Sequence, residues 1–159
     1  MKAVSLVLLS MLTGCASFNS NVDRSAIPEF TRLLVVSKLP IRQANYLSMF
    51  LTKFPSSYEV CVVDASPLAF GNPDSLINRQ LAICKSQVIL TINPYRNYTT
   101  GLGHSIQSMN EVLLEMTDPS TRKSFWKAIA RAQGNRVPNA GEIVRRLQTD
   151  RVISGNITQ

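Results

Sequence analysis

Three apolar runs rich in β-branched residues recur along the first two thirds of the chain, at residues 32–37, 58–63 and 87–92. Because each run is continuous rather than alternating, each predicts a strand that is buried on both faces. Such strands are typical of the parallel sheets of α/β proteins, in which helices cover both faces of the sheet.

Helical patterns separate these runs. Over residues 42–54, apolar side chains recur at intervals of three and four, and Pro55 ends the pattern. A second helix is expected to begin near Asp74, whose side chain can cap it, and to lead back to the third run. Strands and helices therefore alternate with short connections, which predicts a βαβαβ unit with a parallel sheet and right-handed crossovers.

The C-terminal part of the chain predicts a further strand, a turn and a final helix, with one ambiguous segment among them. Residues 107–116 fit a strand, residues 118–121 a turn, and residues 139–148 an amphipathic helix. Residues 122–133 fit two structures, either a helix or the second strand of a β-hairpin. Propensity alone slightly favours the helix.

The amino terminus has the order of an export signal. Lys2 precedes an apolar stretch that is too short to span a bilayer, and small residues then lead to a cysteine. The sequence Leu12-Thr13-Gly14-Cys15 matches the lipobox of bacterial lipoprotein signals. This resemblance implies a signal peptide over residues 1–14 and acylation of Cys15, which would anchor the protein stably to a membrane. Ala16 in place of aspartate implies sorting to the outer membrane, facing the periplasm.

The mature chain is expected to consist of a tether and one domain. Residues 15–28, which begin with the lipidated cysteine, are polar and follow no helical or strand period, so they predict a flexible tether. Residues 29–155 are long enough for a single α/β domain with one core. The net charge of +7 falls to +6 without the signal peptide, because that segment contains only one charged residue, Lys2. The cations are scattered rather than interleaved with aromatic residues, so nucleic acid is not an expected partner.

Two cysteines remain for the domain, Cys61 in the second predicted strand and Cys84 at the end of the second predicted helix. An even number of cysteines in an oxidising compartment favours a disulfide. A helix that returns to start the next strand ends near the amino-terminal edge of the sheet, which brings the two sulfurs to the same side. A Cys61–Cys84 disulfide is therefore expected, with two buried free thiols as the alternative.

Several segments together resemble a group of uncharacterised bacterial lipoproteins whose α/β domain is similar in fold to the amino-terminal domain of TolB. These segments are LLVVS, RQANYLSMFLTKF, VCVVDAS, QVILTI and VLLEMTDPSTRKSFWKAIA. The group carries an Asp-containing turn followed by a Trp-bearing strand, of the form D..T.K..W.A, which falls here on Asp118, Thr121, Lys123, Trp126 and Ala128. The resemblance therefore implies a hairpin rather than a helix over residues 122–133. The predicted fold is a three-layer α/β structure, in which a βαβαβ parallel core is extended by a β-hairpin and followed by a C-terminal amphipathic helix.

Candidate binding residues lie where the predicted parallel strands end, because α/β sheets commonly bind ligands at the carboxyl ends of their strands. Residues 95–105, which follow the third strand, are expected to be irregular, either as a mobile loop or as a widened strand edge, and their tyrosine and arginine side chains suit contact with a partner. The expected ligand or partner surface consists of Ser37, Lys38, Asp64, Ser66, Asn93, Tyr95, Arg96 and Tyr98.

The sequence contains the residue types of a hydrolase but no recognisable catalytic motif. Asp64, Ser66 and His104 are of the right types, yet no Gly-x-Ser-x-Gly elbow surrounds Ser66 or Ser105. No phosphate-binding loop and no group of clustered metal ligands is present, so neither a cofactor nor a metal is expected. The leading hypothesis is a non-enzymatic lipoprotein at the outer membrane that binds other envelope components or self-associates. The alternative is a periplasmic hydrolase or small-ligand-binding protein.

Overall fold

One mixed sheet of six strands forms the centre of the protein. The computed structural model describes residues 16–40, 45–102 and 106–155. The strands lie side by side in the order β1-β6-β5-β4-β2-β3. The strands are β1 (Ser17–Val22), β2 (Arg32–Ser37), β3 (Glu59–Asp64), β4 (Val88–Thr100), β5 (Gln107–Asp118) and β6 (Lys123–Gln133), and the α-helices are α1 (Ser48–Lys53), α2 (Pro73–Cys84) and α3 (Ala140–Thr149).

The topology confirms the predicted α/β fold. β2 pairs in parallel with both β3 and β4, so that β2, α1, β3, α2 and β4 form the expected βαβαβ unit. β5 and β6 extend this unit as an antiparallel hairpin. α3 is the predicted C-terminal helix, and Asn139 and Glu142 cap it reciprocally through side-chain-to-backbone hydrogen bonds.

The segment that fitted both a helix and a strand forms β6. The register between β5 and β6 shifts after Met116, which leaves Phe125 as an extra residue and allows both Phe125 and Trp126 to reach the core. Each of the two aromatic side chains is 1% exposed. Burial of both rings against the neighbouring strands outweighs the slight helical preference, because strand stability depends more on such packing than on local propensity.

Helices cover both faces of the sheet, which produces the predicted three layers. α1 and α3 cover one face, here called the core face, where side chains from all six strands are buried or half-buried. α2 packs on the opposite, outer face against β2 and β3. Further along the outer face, β5 and β6 carry a mixture of charged and apolar side chains, namely Glu111, Leu113, Glu115, Lys127, Ile129 and Arg131.

Residues 17–22 differ from the expected flexible tether, because they form the edge strand β1. Its six residues pair with β6, from Ser17 opposite Arg131 to Val22 opposite Trp126. Phe18 and Val22 face the core, whereas polar residues alternate with them. So few apolar residues give little local signal, and the strand is stabilised by a partner more than a hundred residues away in sequence.

The strand that follows α2 is longer than expected. Residues 95–105 were expected to be irregular, but β4 continues through this region to Thr100. The register with β5 shifts between Pro94 and Arg96, so that Tyr95 is the extra residue of a β-bulge. Pro94 and the bulge at Tyr95 interrupt the alternation of residues by which such a strand would be recognised in the sequence.

α1 covers only the second half of the helix that was expected over residues 42–54, and residues 41–44 lie outside the described part of the chain. None of the helices within the described residues has both the length and the apolar character needed to cross a membrane.

Candidate functional site

The ends of the parallel strands and the start of the chain's first strand lie at one edge of the sheet, here called the carboxyl edge. β2, β3 and β4 run in the same direction, and their last residues lie at this edge. β5 runs back from this edge, β6 runs towards it, and β1 runs back again. Ser17, the first residue of β1, therefore lies at the same edge.

The three predicted surface residues at the ends of β2 and β3 are engaged in local turns. Ser37 and Asp64 are opposite one another in the β2–β3 register, but Ser37 is buried, and its hydroxyl accepts a hydrogen bond from the Leu39 N–H at 3.4 Å. The Asp64 carboxylate accepts from the backbone N–H of Ser66 at 2.9 Å. The hydroxyl of Ser66, which is 2% exposed, accepts from the Leu68 N–H at 3.3 Å. These contacts give Asp64 and Ser66 a role in shaping the β3–α2 connection.

Lys38 and Asn93 lie at the junction between β2 and β4. The backbone N–H of Lys38 donates to the Ile92 carbonyl at 2.9 Å, which continues the pairing of these two strands by one residue. Asn93 is half-buried and lies opposite Leu113 of β5. His104 and Ser105, the other residues considered for a hydrolase, lie outside the described residues.

Two arginines and a buried carboxylate form an ion-pair cluster on the outer face at this edge. Glu111 of β5 lies between Arg96 of β4 and Arg131 of β6 in the register of the three strands. The Nε of Arg96 donates to one carboxylate oxygen of Glu111, and the Nε of Arg131 donates to the other. The Arg96 guanidinium lies 5.8 Å from the ring centroid of Tyr95 and 5.0 Å from that of Tyr98. The structure thus brings together three of the predicted residues, and adds Glu111 and Arg131 to them.

This cluster presents positive charge to the solvent. The Glu111 side chain is fully covered, whereas those of Arg96 and Arg131 are 57% and 44% exposed. The hydrogen bond from Arg96 holds the pKa of Glu111 below its ordinary value, and Arg131 acts in the same direction, whereas desolvation opposes both. Glu111 is therefore a covered carboxylate, contacted by Arg96, Arg131 and the hydroxyl of Tyr98, and the accessible charged groups are the guanidiniums.

Replacing Glu111 with glutamine should lower the stability of the protein near neutral pH and reduce its sensitivity to acid. Because the folded-state pKa lies below the ordinary value, the ionised carboxylate stabilises the fold above about pH 4.5, and this contribution is lost as the pH falls through the lowered pKa. Urea unfolding at about pH 7 and about pH 3 measures the effect. The difference between wild type and Glu111→Gln should be larger at neutral pH.

Glu115→Gln is the matched control for this experiment. Glu115 lies on the same face of the same strand and pairs with Lys127 at 2.9 Å, but its side chain is 24% exposed. We expect this substitution to have the smaller effect at neutral pH. A Glu111→Gln deficit that is the same at both pH values would contradict the ion-pair explanation.

A cavity of about 330 Å³ opens at the carboxyl edge. Its polar lining includes three asparagine amides together with Tyr95 and Arg96, and apolar side chains complete the wall. One of these amides, that of Asn110, already donates to the Arg136 carbonyl at 3.0 Å. The full lining consists of Leu39, Pro40, Pro94, Tyr95, Arg96, Asn97, Asn110, Asn135 and Val137. Asparagine amides against an apolar wall suit the binding of a polar ligand.

The residues that the sequence did not point to are those on the antiparallel strands. Glu111, Asn110 and Arg131 join the site only through the pairing of β5 with β4 and β6. The one local signal was a glutamate directly before the apolar residues Val112, Leu113 and Leu114, where a carboxylate needs a charged partner once it is buried. The identity of that partner depends on the strand register, which the sequence does not specify.

Cys61 and Cys84 form the disulfide that the topology predicted, with their Cα atoms 6.4 Å apart. Cys61 lies on the edge strand β3 and faces α2, and Cys84 is the last residue of that helix. The bond fixes the helix to the edge of the sheet, beside the buried side chains of Leu34 and Val36.

No protein-family model and no curated protein matches the chain. The chain is similar to several solved structures, among them a PelC dodecamer from Paraburkholderia phytofirmans, with 12% identity over 82% of this chain and 91% of that chain and a TM-score of 0.42. Lipoprotein GNA1162 from Neisseria meningitidis is 15% identical over 76% of this chain and 96% of that chain, with a TM-score of 0.39. Protein XCC0632 from Xanthomonas campestris, described as DUF330, is 15% identical over 82% of this chain and 87% of that chain, with a TM-score of 0.31. Similarities at this level assign no function to the chain.

Proposed function

We propose that this chain is a bacterial lipoprotein, anchored by an acylated Cys15 to the periplasmic face of the outer membrane, and that its α/β domain binds other envelope components at the carboxyl edge. The observation that carries the proposal is the short separation in sequence between the lipobox and the folded domain. Cys15 directly precedes Ala16, whose backbone N–H donates to the Glu142 carboxylate at 3.0 Å. The anchor and the carboxyl edge are thus adjacent.

The disulfide supports the proposed compartment. Structural disulfides persist in the periplasm and in other oxidising environments, and they are rare in the reducing cytosol. A bond between Cys61 and Cys84, with 23 residues of sequence separation, therefore suits an exported protein.

The chemistry of the carboxyl edge supports binding rather than hydrolysis. Among the residues that the structure describes, its accessible groups are guanidiniums, amides and phenols, which donate and accept hydrogen bonds but do not form a nucleophile–base pair. Asp64 and Ser66 are engaged with backbone N–H groups of their own turn. The resemblance of the sequence to uncharacterised bacterial lipoproteins supports the same function.

Replacing Cys15 with serine should abolish lipid attachment, because the thiol that accepts the diacylglyceryl group is then missing. We expect the wild-type protein in the membrane fraction, with a mature amino terminus that carries acyl chains. The Cys15→Ser protein should be released, or should remain as an unprocessed precursor that retains residues 1–14. Cell fractionation followed by mass spectrometry of the amino-terminal peptide distinguishes these states.

Ser17→Ala is the matched control, since it changes an exposed residue close to the lipobox and leaves the thiol in place. This variant should be acylated and localised like the wild type. A Cys15→Ser protein that is processed, acylated and found in the membrane fraction like the wild type would rule out the proposed anchor.

A further inference from the structure

Exposed apolar side chains gather at the carboxyl edge. Leu102 follows β4 at the tip of the β4–β5 hairpin and is 92% exposed, and Ile106, just before β5, is 70% exposed. Phe70, in the connection from β3 to α2, is 93% exposed. The turn between β5 and β6, at the opposite edge of the sheet, contains Pro119, Ser120, Thr121 and Arg122 instead. Apolar side chains this exposed on protruding connections are unfavourable in water and need a partner that covers them.

The β4–β5 hairpin extends further along the strand direction than Ser17, the first residue of β1. Ser17 lies opposite Arg131, and the register continues across β5 to Arg96 of β4. β4 then runs four residues further, to Thr100, which corresponds to about 13 Å at the rise of an extended strand. Leu102 and Ile106 therefore project past Ala16. If residue 15 is anchored to a membrane, as proposed above, the hairpin points towards that membrane.

The accessible charge beside the hairpin is positive. Arg96, Arg131 and Arg136 have side chains that are 57%, 44% and 42% exposed. Their carboxylate partners are shielded, because Glu111 is fully covered and the Glu142 side chain is only 10% exposed. The exposed acids of this edge, Asp64 and Asp74, lie beside β3 and α2, away from the β5–β6 side of the sheet. Cations of this kind are attracted to anionic lipid headgroups near a membrane surface.

We propose that Leu102, which follows β4, and Ile106, which precedes β5, insert into the interface of an anionic phospholipid bilayer, with Arg96, Arg131 and Arg136 contacting the headgroups. The inference deepens the proposed function and rests on it, since the anchor defines the side on which the membrane lies. Docking fixes the orientation of the domain, with the strands of the hairpin pointing towards the membrane. The sheet is then upright on the membrane surface, and its outer face remains accessible to a partner.

A bilayer fits this surface better than a second copy of the chain does. The apolar residues are carried on two connections, with Leu102 and Ile106 between β4 and β5 and Phe70 between β3 and α2, and a fluid interface can accommodate such projections individually. Two copies that met through this edge would bring their exposed arginines together, which opposes association.

Depth-dependent fluorescence quenching tests the proposal with the lipidated full chain in vesicles. The vesicles contain phosphatidylethanolamine and phosphatidylglycerol, with or without bromine on the acyl chains. Leu102→Trp places a reporter at the hairpin tip, and Thr121→Trp is the matched control in the exposed turn at the opposite edge. The native Trp126 is buried, so the wild-type signal serves as the background. Vesicle flotation and the mass of the amino-terminal peptide are recorded for each sample.

We expect brominated lipids to remove most of the fluorescence that Leu102→Trp adds, and to leave that of Thr121→Trp unchanged. If both reporters are unquenched while the acylated proteins float with the vesicles, the docking proposal is wrong and the anchor stands. A Leu102→Trp emission that is shifted to the blue but is unquenched would show a second copy at the tip, and would also overturn the proposal. Quenching in a protein that lacks acyl chains would support docking and contradict the anchor. A protein that does not float would contradict both.

Replacing phosphatidylglycerol with phosphatidylcholine tests the role of the arginines. Quenching of Leu102→Trp should weaken in these vesicles, because the anionic headgroups have been removed. Equal quenching in both kinds of vesicle would overturn the part of the proposal that assigns the arginines to headgroup contact.

Discussion

Replacing Cys61 and Cys84 together with alanine is expected to lower the free energy of unfolding by about 3 kcal/mol. The estimate follows from the 23-residue separation of the two cysteines, because a covalent bond between them restricts the unfolded chain. The loss should destabilise β3 and α2 most directly. β3 is an edge strand that pairs on one side with β2. The small cluster around Leu34 and Val36 would remain to hold the helix on the sheet.

Urea unfolding of the double variant beside the parent chain measures this effect. Both proteins should carry Cys15→Ser, so that no third thiol interferes, and alkylation of the denatured parent without reductant should detect no free thiol. The parent treated with a reductant is the control, because it should lose a similar amount of stability without any change in side-chain volume. A loss below about 1 kcal/mol in both cases would show that packing against α2, rather than the disulfide, secures the edge strand.

The parallel half of the fold could be predicted from the sequence because β2, the middle parallel strand, is buried on both faces, although β3 is only half-buried and β4 alternates between buried and half-buried residues. Continuous apolar runs such as residues 32–37 leave few alternatives to a covered parallel strand, and the helices between them follow from their periodicity. The same topology predicts, without any measured distance, that Cys61 lies near Cys84. The antiparallel half differs, because β6 was distinguished from a helix only through a resemblance that covered Trp126 and its neighbours.

The parts that escaped prediction all depend on contacts between distant segments. β1 has too few apolar residues to be recognised alone and is held by β6. Residues 95–100 continue β4 past a bulge, and this continuation forms the hairpin on which Leu102 projects. Of the candidate site, the sequence identified Arg96 and its flanking tyrosines from residue type, but Glu111 and Arg131 required the register of three strands.

A partly buried hydrogen-bond network joins β6, the end of α3 and the strand that follows the lipobox. The indole N–H of Trp126 donates to the Asp150 carboxylate at 2.7 Å, and Arg146 donates to the same carboxylate and to the Ser20 hydroxyl. Burial acts to raise the pKa of Asp150, but the hydrogen bonds with Trp126, Ser20 and Arg146 outweigh it and lower the pKa. Ser20 lies on β1, so the network connects the core to the segment next to the proposed anchor.

Replacing Trp126 with alanine should therefore cost about 3–5 kcal/mol of stability, because it removes a side chain that is 1% exposed and leaves a cavity beneath α3. Trp126→Phe is the matched variant, since it retains most of the apolar volume but loses the N–H donor. We expect it to cost about 1.5–3 kcal/mol, the value of a hydrogen bond to a charged group. The folded-state pKa of Asp150 lies below the ordinary value of 3.8, so this contribution is present above that pH and is lost as the pH falls through the lowered pKa.

Urea unfolding of wild type, Trp126→Phe and Trp126→Ala from neutral pH to about pH 3 separates the two contributions. The deficit of the phenylalanine variant should shrink in acid, where protonated Asp150 is a weaker acceptor. The additional deficit of the alanine variant should persist, because a cavity does not titrate. A phenylalanine deficit that is independent of pH would show that ring packing alone accounts for the role of Trp126, and that β1 and α3 are joined without the charge on Asp150.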